Sequence, residues 1–425
     1  MISNNRKIFR GLSRQEVERI IHITPDIEIK IVPNSSNTRF TIDEPGKESL
    51  SFLCDSSEDA LNWIQILRGE TFRNDSMSIN DFKILSVIGR GFYGKVMLVR
   101  KKDTGELFAI KSVRKSNLTK SNKVHTIMTE RDILIKSHFE FIISLRYAFQ
   151  TDSKFYFVLE FASGGELFHL LEATGPLSVS DTRLYIAEIA LALQYLHSIG
   201  VIYRDLKLEN VLIAYDGHVK LTDFGLSKEL LSDDSTTSTF CGTTEYLAPE
   251  VIRRQPYSYM VDWWSLGILT YEIMFGDTPF SSENKSVILN GVVNSEPHFP
   301  DNADPISIDF IRRLLEKNPE KRATLKDLIH HPFWGGMDFD LVLQKKYAPF
   351  FTPRQGNDSE PLHFDDEFTM ENPTDSLSTP VFEPKGIFVG FSFSEEMEID
   401  LNGSDLTPSS ILTLGLIDPV EANSK

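Results

Sequence analysis

The segment 203–210, YRDLKLEN, places a carboxylate, an ammonium group and a carboxamide within a few residues of one another. Asp205 could orient an attacking hydroxyl group or accept its proton, and Lys207 could neutralise charge on a transferred phosphoryl group. Asn210 offers an oxygen to a hard cation such as Mg²⁺, and Asp223 further along offers another. Each residue alone would more often be an ordinary surface group, so the prediction depends on their occurring together.

An upstream glycine-rich segment could bind phosphate. Gly89, Gly91 and Gly94 match the pattern G-x-G-x-x-G, which is a weak signal alone because dinucleotide-binding folds share it. In those folds a helix follows the last glycine, whereas here the apolar run 95–99 predicts a strand. The glycines therefore predict a hairpin tip whose backbone N–H groups could cover phosphates; an ordinary glycine-rich hairpin fits the motif alone about equally well.

A lysine and a glutamate could complete this phosphate site. Lys111 ends a short predicted strand, and Glu130 lies in a predicted helix over 124–136, on the apolar face that carries Ile127, Ile133 and Leu134. A carboxylate on an apolar face is costly unless a cation meets it, so we expect Lys111 to pair with Glu130. The pair could hold the α- and β-phosphates of ATP, whereas the alternative for Lys111 is an edge lysine in water.

The elements that must position these groups lie between residues 82 and 334. This region begins with β-rich sequence around 89–100 and then becomes mostly helical, with the clearest long helices predicted over 185–197 and 261–275. A small β-rich lobe joined to a larger helical lobe fits this order of elements.

Together the motifs resemble those of eukaryotic protein kinases over residues 82–334. Tyr203 in place of histidine is usual in the AGC branch of serine/threonine kinases, and Lys207 is the serine/threonine pattern. The resemblance implies an α+β fold, the bilobal protein kinase fold, with an antiparallel β-rich N-lobe and a helical C-lobe. It also implies an ATP- and Mg²⁺-dependent serine/threonine kinase.

The same resemblance implies residue roles. The catalytic groups would be Asp205, Lys207, Lys111 and Glu130, and the metal ligands would be Asn210 and Asp223. The nucleotide would contact Ile88, Gly89, Gly91, Gly94, Val96, Ala109, Lys111, Leu159, Glu160, Ala162, Glu166, Leu212 and Thr222. Glu250 would pair with a buried arginine, Arg322, and the Asp262 carboxylate would accept hydrogen bonds from the catalytic-loop backbone.

Three glutamates point to the substrate class. Glu166, Glu209 and Glu272 match positions where basophilic AGC kinases hold substrate arginines, so the resemblance implies protein substrates with arginine upstream of the target serine or threonine. It also implies upstream activating kinases. The phosphorylation sites would be Thr239 in the activation loop, Ser392 in the hydrophobic motif, and Ser376 in the middle of the tail, with Thr379 as the alternative.

Residues 335–425 resemble the C-terminal tail of AGC kinases, and this segment is acidic overall. Between residues 351 and 425 there are 15 acidic and 3 basic residues, a net charge of −12 out of −17 for the whole chain. A purely solvated tail would not need its phenylalanines, so we expect it to wrap and dock. The motif around Phe391 and Phe393 would dock beside the Glu130 helix, and the segment 364–369 would cross the ATP pocket.

Residues 1–72 resemble the second half of a pleckstrin-homology domain. Strands are predicted over 20–23, 27–32, 39–42 and 50–54, followed by a helix that carries Trp63. The first strands, which usually carry the phosphoinositide pocket, are not predicted. This partial β/α unit is therefore expected to be a remnant packed on the kinase, with phosphoinositide binding as the alternative. The whole combination most resembles protein kinase B and its close relatives.

Composition excludes several classes of protein. The chain has 425 residues, 41% of them hydrophobic, which excludes a chain disordered throughout. Its acidity argues against a general nucleic-acid binder, and its two cysteines provide no disulfide framework, which favours the cytoplasm. The rivals are an adaptor with an inert kinase fold, whose hallmark would be a missing lysine or aspartate, and a tyrosine kinase, which Lys207 opposes.

Overall fold

The computed structural model describes most of the chain from residue 77 onward and parts of the segment before it. The described residues are 2–3, 7–9, 20–22, 28–31, 39–43, 49–53, 77–91, 94–120, 124–230, 236–353, 361–376 and 391–394. The helix expected around Trp63, together with Phe388 and Thr379, lies outside the described residues.

The strands are numbered β1 to β16 in chain order. They are Ile2–Ser3, Lys7–Phe9, Ile20–His22, Glu28–Ile31, Arg39–Asp43, Leu50–Leu53, Phe82–Gly91, Gly94–Lys101, Leu107–Arg114, Leu145–Gln150, Lys154–Glu160, Val201–Ile202, Val211–Ile213, Val219–Leu221, Lys228–Glu229 and Phe393–Ser394.

The α-helices of the described residues are numbered α1 to α11. They are Lys115–Lys120, Val124–Lys136, Leu167–Thr174, Val179–Ser198, Pro249–Ile252, Met260–Phe275, Lys285–Asn294, Pro305–Leu314, Leu325–Leu328, Phe339–Leu343 and Asp366–Thr369. Short 3-10 turns occur at Ile79–Asp81, Leu208–Asn210, Thr244–Tyr246 and Pro332–Trp334.

A six-stranded antiparallel sheet forms the smaller lobe. Its strand order is β16-β10-β11-β9-β8-β7, so consecutive strands β7, β8 and β9 are neighbours and the tail strand β16 forms one edge. Apolar side chains such as Met97, Ile110 and Val158 are fully buried in it. The β-rich N-lobe expected from the sequence is confirmed.

The larger lobe is built around two long helices, α4 and α6, which pack against each other. Ser178 caps α4, since its hydroxyl accepts a hydrogen bond from the Asp181 N–H. Helix α6 is apolar on nearly all faces and is accordingly buried along most of its length, because a helix without a polar face needs partners all round. The helical C-lobe is confirmed as well.

The N-terminal segment contains more strands than expected. Besides β3 to β6, it has the short strands β1 and β2, which form a three-stranded antiparallel sheet with β3. Strands β4, β5 and β6 form a second antiparallel sheet, in which the rings of Phe40 and Phe52 stack at 5.2 Å. The expectation that strands before residue 20 are lacking is therefore wrong for the described residues.

Among the helices of the described residues, none is both long enough and apolar enough to cross a lipid bilayer.

Candidate active site

Lys111 forms ion pairs with two carboxylates, those of Glu130 and Asp223. From strand β9 its ammonium group lies 2.6 Å from Glu130 Oε1 on helix α2 and 2.9 Å from Asp223 Oδ1. Burial alone would lower the pKa of Lys111, but the charges of Asp223 and Glu130 more than offset it and raise the pKa. Glu130 is 4% exposed, and its expected pairing with Lys111 is confirmed, although burial still raises the pKa of Glu130.

The catalytic loop between β12 and β13 brings three polar groups together. Asn210 donates from Nδ2 to the Asp205 carbonyl at 2.7 Å and to Asp205 Oδ2 at 2.9 Å, and Lys207 Nζ lies 3.7 Å from the same carboxylate oxygen. Burial raises the pKa of Asp205, whereas Lys207 and Asn210 act in the opposite direction. Asp205 is therefore a better proton acceptor than an exposed aspartate.

The β13–β14 hairpin positions Asn210 against Asp223. Val211 pairs with Leu221, so Asn210 before the first strand lies opposite Thr222 after the second, and the Thr222 N–H donates to the Asn210 carbonyl at 3.0 Å. The charge of Lys111 lowers the pKa of Asp223, which keeps this carboxylate ionised. Sequence spacing alone could not show this juxtaposition, because it depends on the strand register.

The donor set fits a hard divalent cation. Both side-chain hydrogen bonds that Asn210 makes with described residues come from Nδ2, which leaves Oδ1 available to a metal. The Asp223 side chain is 47% exposed, and its pKa is lowered, so it is ionised. Bound Mg²⁺ would supply charge neutralisation to nucleotide phosphates at this place.

The glycine-rich hairpin and an apolar cluster frame the remaining space. A Cβ built on Gly91 would meet no described atom within 4 Å, so the backbone there is open to a phosphate. Ile88, Leu98 and Ala109, from strands β7, β8 and β9, form a small buried cluster, with Val96 packed against it. The other expected nucleotide residues are arranged as follows: Leu159 and Ala162 are buried, and Glu160, Glu166, Leu212 and Thr222 are half-buried.

Two residues of the site hold an unusual backbone conformation. Arg204 and Asp223 have φ angles of 69° and 56°, which non-glycine residues rarely adopt. Asp262 on α6 stabilises the conformation of Arg204. Its carboxylate accepts hydrogen bonds from the Tyr203 N–H at 2.9 Å, the Arg204 N–H at 2.8 Å and His197 Nε2 at 2.8 Å. The role expected for Asp262 is confirmed, and its buried charge fixes the catalytic loop.

Comparison with known proteins agrees with this geometry. The model of the protein kinase domain family matches residues 82–334. The chain belongs to the protein kinase family. It is 37% identical to a RAC family serine/threonine-protein kinase homolog of Dictyostelium discoideum, over 89% of each chain. It is 37% identical to the RAC-beta serine/threonine-protein kinase of Homo sapiens, over 89% of this chain and 82% of that protein.

A yeast relative is matched over less of its own length. The serine/threonine-protein kinase YPK2/YKR2 of Saccharomyces cerevisiae is 41% identical over 74% of this chain, which spans about half of that protein, 49%. These relatives are AGC kinases, so the AGC resemblance is confirmed. The resemblance of residues 1–72 to a pleckstrin-homology domain stays a prediction.

A buried ion pair anchors the kinase activation segment. Arg322 donates from Nη1 and Nη2 to the two carboxylate oxygens of Glu250 at 2.7 and 2.9 Å, and both side chains are almost fully buried. This planar, two-bond geometry is the strongest form of an arginine–carboxylate contact. The pairing expected from the sequence is confirmed.

The activation loop lies close to two cations, Arg204 and Lys228. Thr239 is exposed, and its hydroxyl lies 3.4 Å from that of Thr237, to which Lys228 donates at 3.0 Å. The Tyr257 hydroxyl donates to the Thr239 carbonyl at 2.6 Å and accepts from Arg204 at 3.3 Å. Arg204 and Lys228 therefore both contact the immediate surroundings of Thr239.

An acidic cluster lies beside the catalytic loop. The charges of Glu166 and Glu209 act on each other, and the charge of Glu209 also acts on Glu272. Burial raises the pKa of Glu272 to about 7, although the hydrogen bond from the Tyr246 hydroxyl lowers it. An arginine placed here would compensate several carboxylates at once.

The tail docks on the N-lobe through its phenylalanines. Phe391 is fully buried, with its ring 4.5 Å from that of Phe155 and 5.2 Å from that of Phe157, and β16 extends the sheet beside β10. Both rings that Phe391 contacts lie on strand β11. The expectation that the tail docks is confirmed for Phe391, whereas its place beside the Glu130 helix stays a prediction.

Several contacts of the site were missed by sequence reasoning. Thr243 Oγ1 lies 3.5 Å from Asp205 Oδ1, the Tyr246 hydroxyl binds Glu272, and Lys154 contacts Asp375 in the tail at 2.5 Å. Only Thr243 had a signal, since it ends the Phe-Cys-Gly-Thr run after Thr239. The other contacts join residues far apart in sequence and depend on tertiary structure.

Proposed function

We propose that this chain is an active ATP- and Mg²⁺-dependent serine/threonine kinase that phosphorylates proteins with arginine upstream of the target residue. One observation carries the proposal: Lys111 contacts Glu130 and Asp223 simultaneously, while Asp205, Lys207 and Asn210 meet on the adjoining loop. An inert relative would not need to maintain this set of compensated charges.

Each group has a defined role in phosphoryl transfer. Asp205 orients the target hydroxyl and accepts its proton. The hydroxyl oxygen forms a bond to the γ-phosphorus while the bond from that phosphorus to the departing ADP oxygen breaks. Lys207 neutralises charge on the transferred group, and Lys111, held by Glu130, fixes the α- and β-phosphates. Asp223 and Asn210 would hold Mg²⁺.

The adenine site proposed here is the space around the small cluster of Ile88, Leu98 and Ala109. Val96 packs on this cluster, and so does Phe364 of the tail, whose ring stacks on Phe161 at 5.8 Å. Apolar surfaces of this kind suit a flat heteroaromatic base. Glu160 and Ala162 would offer backbone hydrogen bonds to it, and Glu166 would meet the ribose.

The kinase assignment is tested with Asp205→Ala and Lys111→Met, assayed with radiolabelled ATP on an arginine-rich peptide. Both variants should lose phosphorylation by about 10³-fold or more, because Asp205 and Lys111 act on the reacting groups. Asp205→Ala should keep the wild-type thermal midpoint, whereas Lys111→Met should lower it, since buried Glu130 loses its partner. The exposed Asp301→Ala and Lys346→Met serve as matched controls and should keep full activity. Near-full activity of Asp205→Ala or Lys111→Met would contradict the proposal.

The acidic cluster supports the arginine preference. Glu166, Glu209 and Glu272 lie close enough for their charges to interact, and no described cation is in direct contact with Glu209 or Glu272. A peptide array that varies the residues upstream of serine or threonine tests the preference. Equal phosphorylation of acidic and basic peptides would reject it without affecting the kinase assignment.

Phosphorylation of the chain itself is proposed as its regulation, carried out by upstream kinases. A phosphate on Thr239 would face Lys228 and Arg204. Ser376 lies beside Lys154, which binds its carbonyl, and the Ser376 hydroxyl is buried without a hydrogen-bond partner among the described residues. A phosphate on Ser376 would face Lys154, so we propose Ser376 as the middle site, with Thr379 as the alternative. Ser392, which is half-buried in the docked motif, is the third site.

We propose a cytoplasmic location, because the two cysteines of the chain provide no disulfide framework. For residues 1–72 we propose a remnant packed on the kinase, with phosphoinositide binding as the alternative, because strands β1 and β2 remove the argument that the first strands are lacking. Sedimentation of the full chain with phosphoinositide-containing vesicles decides between the two, and specific retention would establish transient membrane association.

A further inference from the structure

The backbone of the tail passes very close to two glycines of the C-lobe, Gly217 and Gly165, before it reaches the nucleotide site. A Cβ on Gly217, whose φ is +88°, would lie 2.2 Å from the Phe351 carbonyl oxygen, and one on Gly165, whose φ is +72°, would lie 1.9 Å from that of His363. Any larger residue would displace the tail backbone at these points. The tail is therefore seated on the C-lobe just before it reaches the cleft.

Beyond His363 the tail crosses to the N-lobe. Phe364 packs on the cluster of Ile88, Leu98 and Ala109, and Asp365 caps the short helix α11 by accepting from the Glu367 N–H at 2.8 Å. Helix α11 then contacts strand β7. The segment 361–371 thus links the two lobes across the mouth of the cleft.

At the end of this segment Glu371 contacts both strands of the glycine-rich hairpin. Its carboxylate lies 2.9 Å from Arg90 Nη2 and 2.6 Å from Lys95 Nζ. The hydrogen bond from Lys95 lowers the pKa of Glu371, so it is ionised near neutral pH. Arg90 and Lys95 flank the tip of the hairpin, one on each strand.

Arg90 and Lys95 are direct cross-strand partners, one step outside the pair Gly91 and Gly94. Like charges directly opposite each other destabilise an antiparallel pair, so this hairpin carries a built-in repulsion close to its phosphate-binding tip. Glu371 lies between the two cations and compensates both. The hairpin's local geometry consequently depends on a residue of the tail.

We propose, building on the kinase function proposed above, that Glu371 is a positioning residue that holds the glycine-rich hairpin in its nucleotide-binding conformation. It ties the hairpin through the segment 361–371 to the C-lobe. Because the hairpin is ordered before the nucleotide arrives, less conformational entropy is lost on binding. Phosphoryl transfer uses Asp205 and Lys207, which Glu371 does not contact, so its loss affects nucleotide affinity rather than the chemical step.

The test compares Glu371→Gln, Arg90→Gln and the double variant with wild type in the full chain. Isothermal titration with MgADP gives Kd, and peptide phosphorylation gives KM for ATP and kcat. Glu371→Gln should raise Kd and KM about three- to tenfold, the scale of two partly exposed ion pairs, while kcat stays equal or increases. The effects of the two single variants should not be additive in the double variant. Hydrogen exchange in 82–101 should increase with Glu371→Gln.

Glu367→Gln is the matched control, since it removes an exposed carboxylate from the same tail helix. It should leave Kd, KM and kcat at wild-type values. An unchanged Kd in an active Glu371→Gln enzyme would overturn the assignment of Glu371. So would a lower Kd, which would mean that Arg90 and Lys95 are freed to bind phosphates. A wild-type chain without phosphotransfer activity would instead refute the kinase function and leave the MgADP result interpretable.

Discussion

At the scale of single residues, the two aspartates of the cleft have opposite environments. Burial raises the pKa of Asp205, whereas the positive charge of Lys111 lowers the pKa of Asp223. Environments that move two pKa values apart assign different roles to chemically identical groups. Asp223 suits a permanently charged metal ligand, and Asp205 suits a proton acceptor.

The pKa of Glu272 leads to a pH-dependent substrate affinity. Its pKa of about 7 means that the carboxylate loses its charge as the pH falls through neutrality, and with it the attraction for a substrate arginine. If only the ionised form binds, KM for an arginine peptide should rise about tenfold from pH 8 to pH 6. Steady-state kinetics across this range checks it.

Two controls accompany this measurement. The Glu272→Gln variant should show a high KM with little pH dependence, and a peptide whose upstream arginines are replaced by citrulline should bind equally weakly at both pH values. The neighbouring Tyr246, Glu209, Asp277 and Glu245 act on the same carboxylate, so the titration belongs to the cluster. An unchanged wild-type KM between pH 6 and pH 8 would reject Glu272 as an arginine-binding group.

At the scale of elements, the Glu130 helix and the tail meet the same strand of the N-lobe sheet. Strand β16 pairs with β10, and helix α2 also contacts β10. The tail and the helix lie more than 250 positions apart in the sequence. We therefore predict that tail docking and the position of Glu130 are coupled through β10.

Removing the Phe391 ring should uncouple tail docking from the position of Glu130. Phe391→Ala should lower kcat by about tenfold, because the lost packing favours undocked tails in which Glu130 is no longer held at Lys111. Kinetics and hydrogen exchange of residues 124–136 measure the effect. Met370→Ala removes an apolar side chain that is 82% exposed in the same tail and should behave as wild type. Wild-type kcat in Phe391→Ala would show that the docked ring does not support the helix.

At the scale of the whole molecule, the activation segment is fastened to the C-lobe core by one buried ion pair. Glu250 and Arg322 are 72 residues apart in sequence and compensate each other in a place without solvent. A buried charge whose partner is removed is strongly destabilising, whereas an exposed pair contributes little. The fold of the larger lobe should therefore be sensitive to either partner.

Arg322→Met should lower the thermal midpoint by on the order of 10 °C, because an unpaired buried carboxylate costs about 3–5 kcal/mol. Differential scanning calorimetry measures it. Arg313→Gln is the matched control, since it breaks an exposed pair with Asp309 one helical turn away and should shift the midpoint by about 1 °C. Equal midpoints for the two variants would show that the buried pair is not a major source of stability.

The amino-acid sequence by itself determined the local parts of this kinase. The glycine pattern followed by a strand, the helical face with Glu130, and the Asp205–Asn210 spacing each depend on neighbours within a few turns of chain, which periodicity and spacing describe well. The two lobes followed from the order of these parts. The pair of Lys111 with Glu130 was also predictable, because a charge in an apolar setting requires a partner. The pair of Glu250 with Arg322 came only from the resemblance to protein kinases.

Only the tertiary structure decided the contacts between distant surfaces. The position of Glu371 between Arg90 and Lys95, the hydrogen bond of Tyr246 with Glu272, and the seat of the tail at Gly165 and Gly217 carry no signature in sequence spacing. They depend on strand register and on where a long connection returns to the fold, and many registers and paths satisfy the same local preferences. The physical reason is that local propensity acts over a few residues, whereas these contacts are selected by the packing of the whole chain.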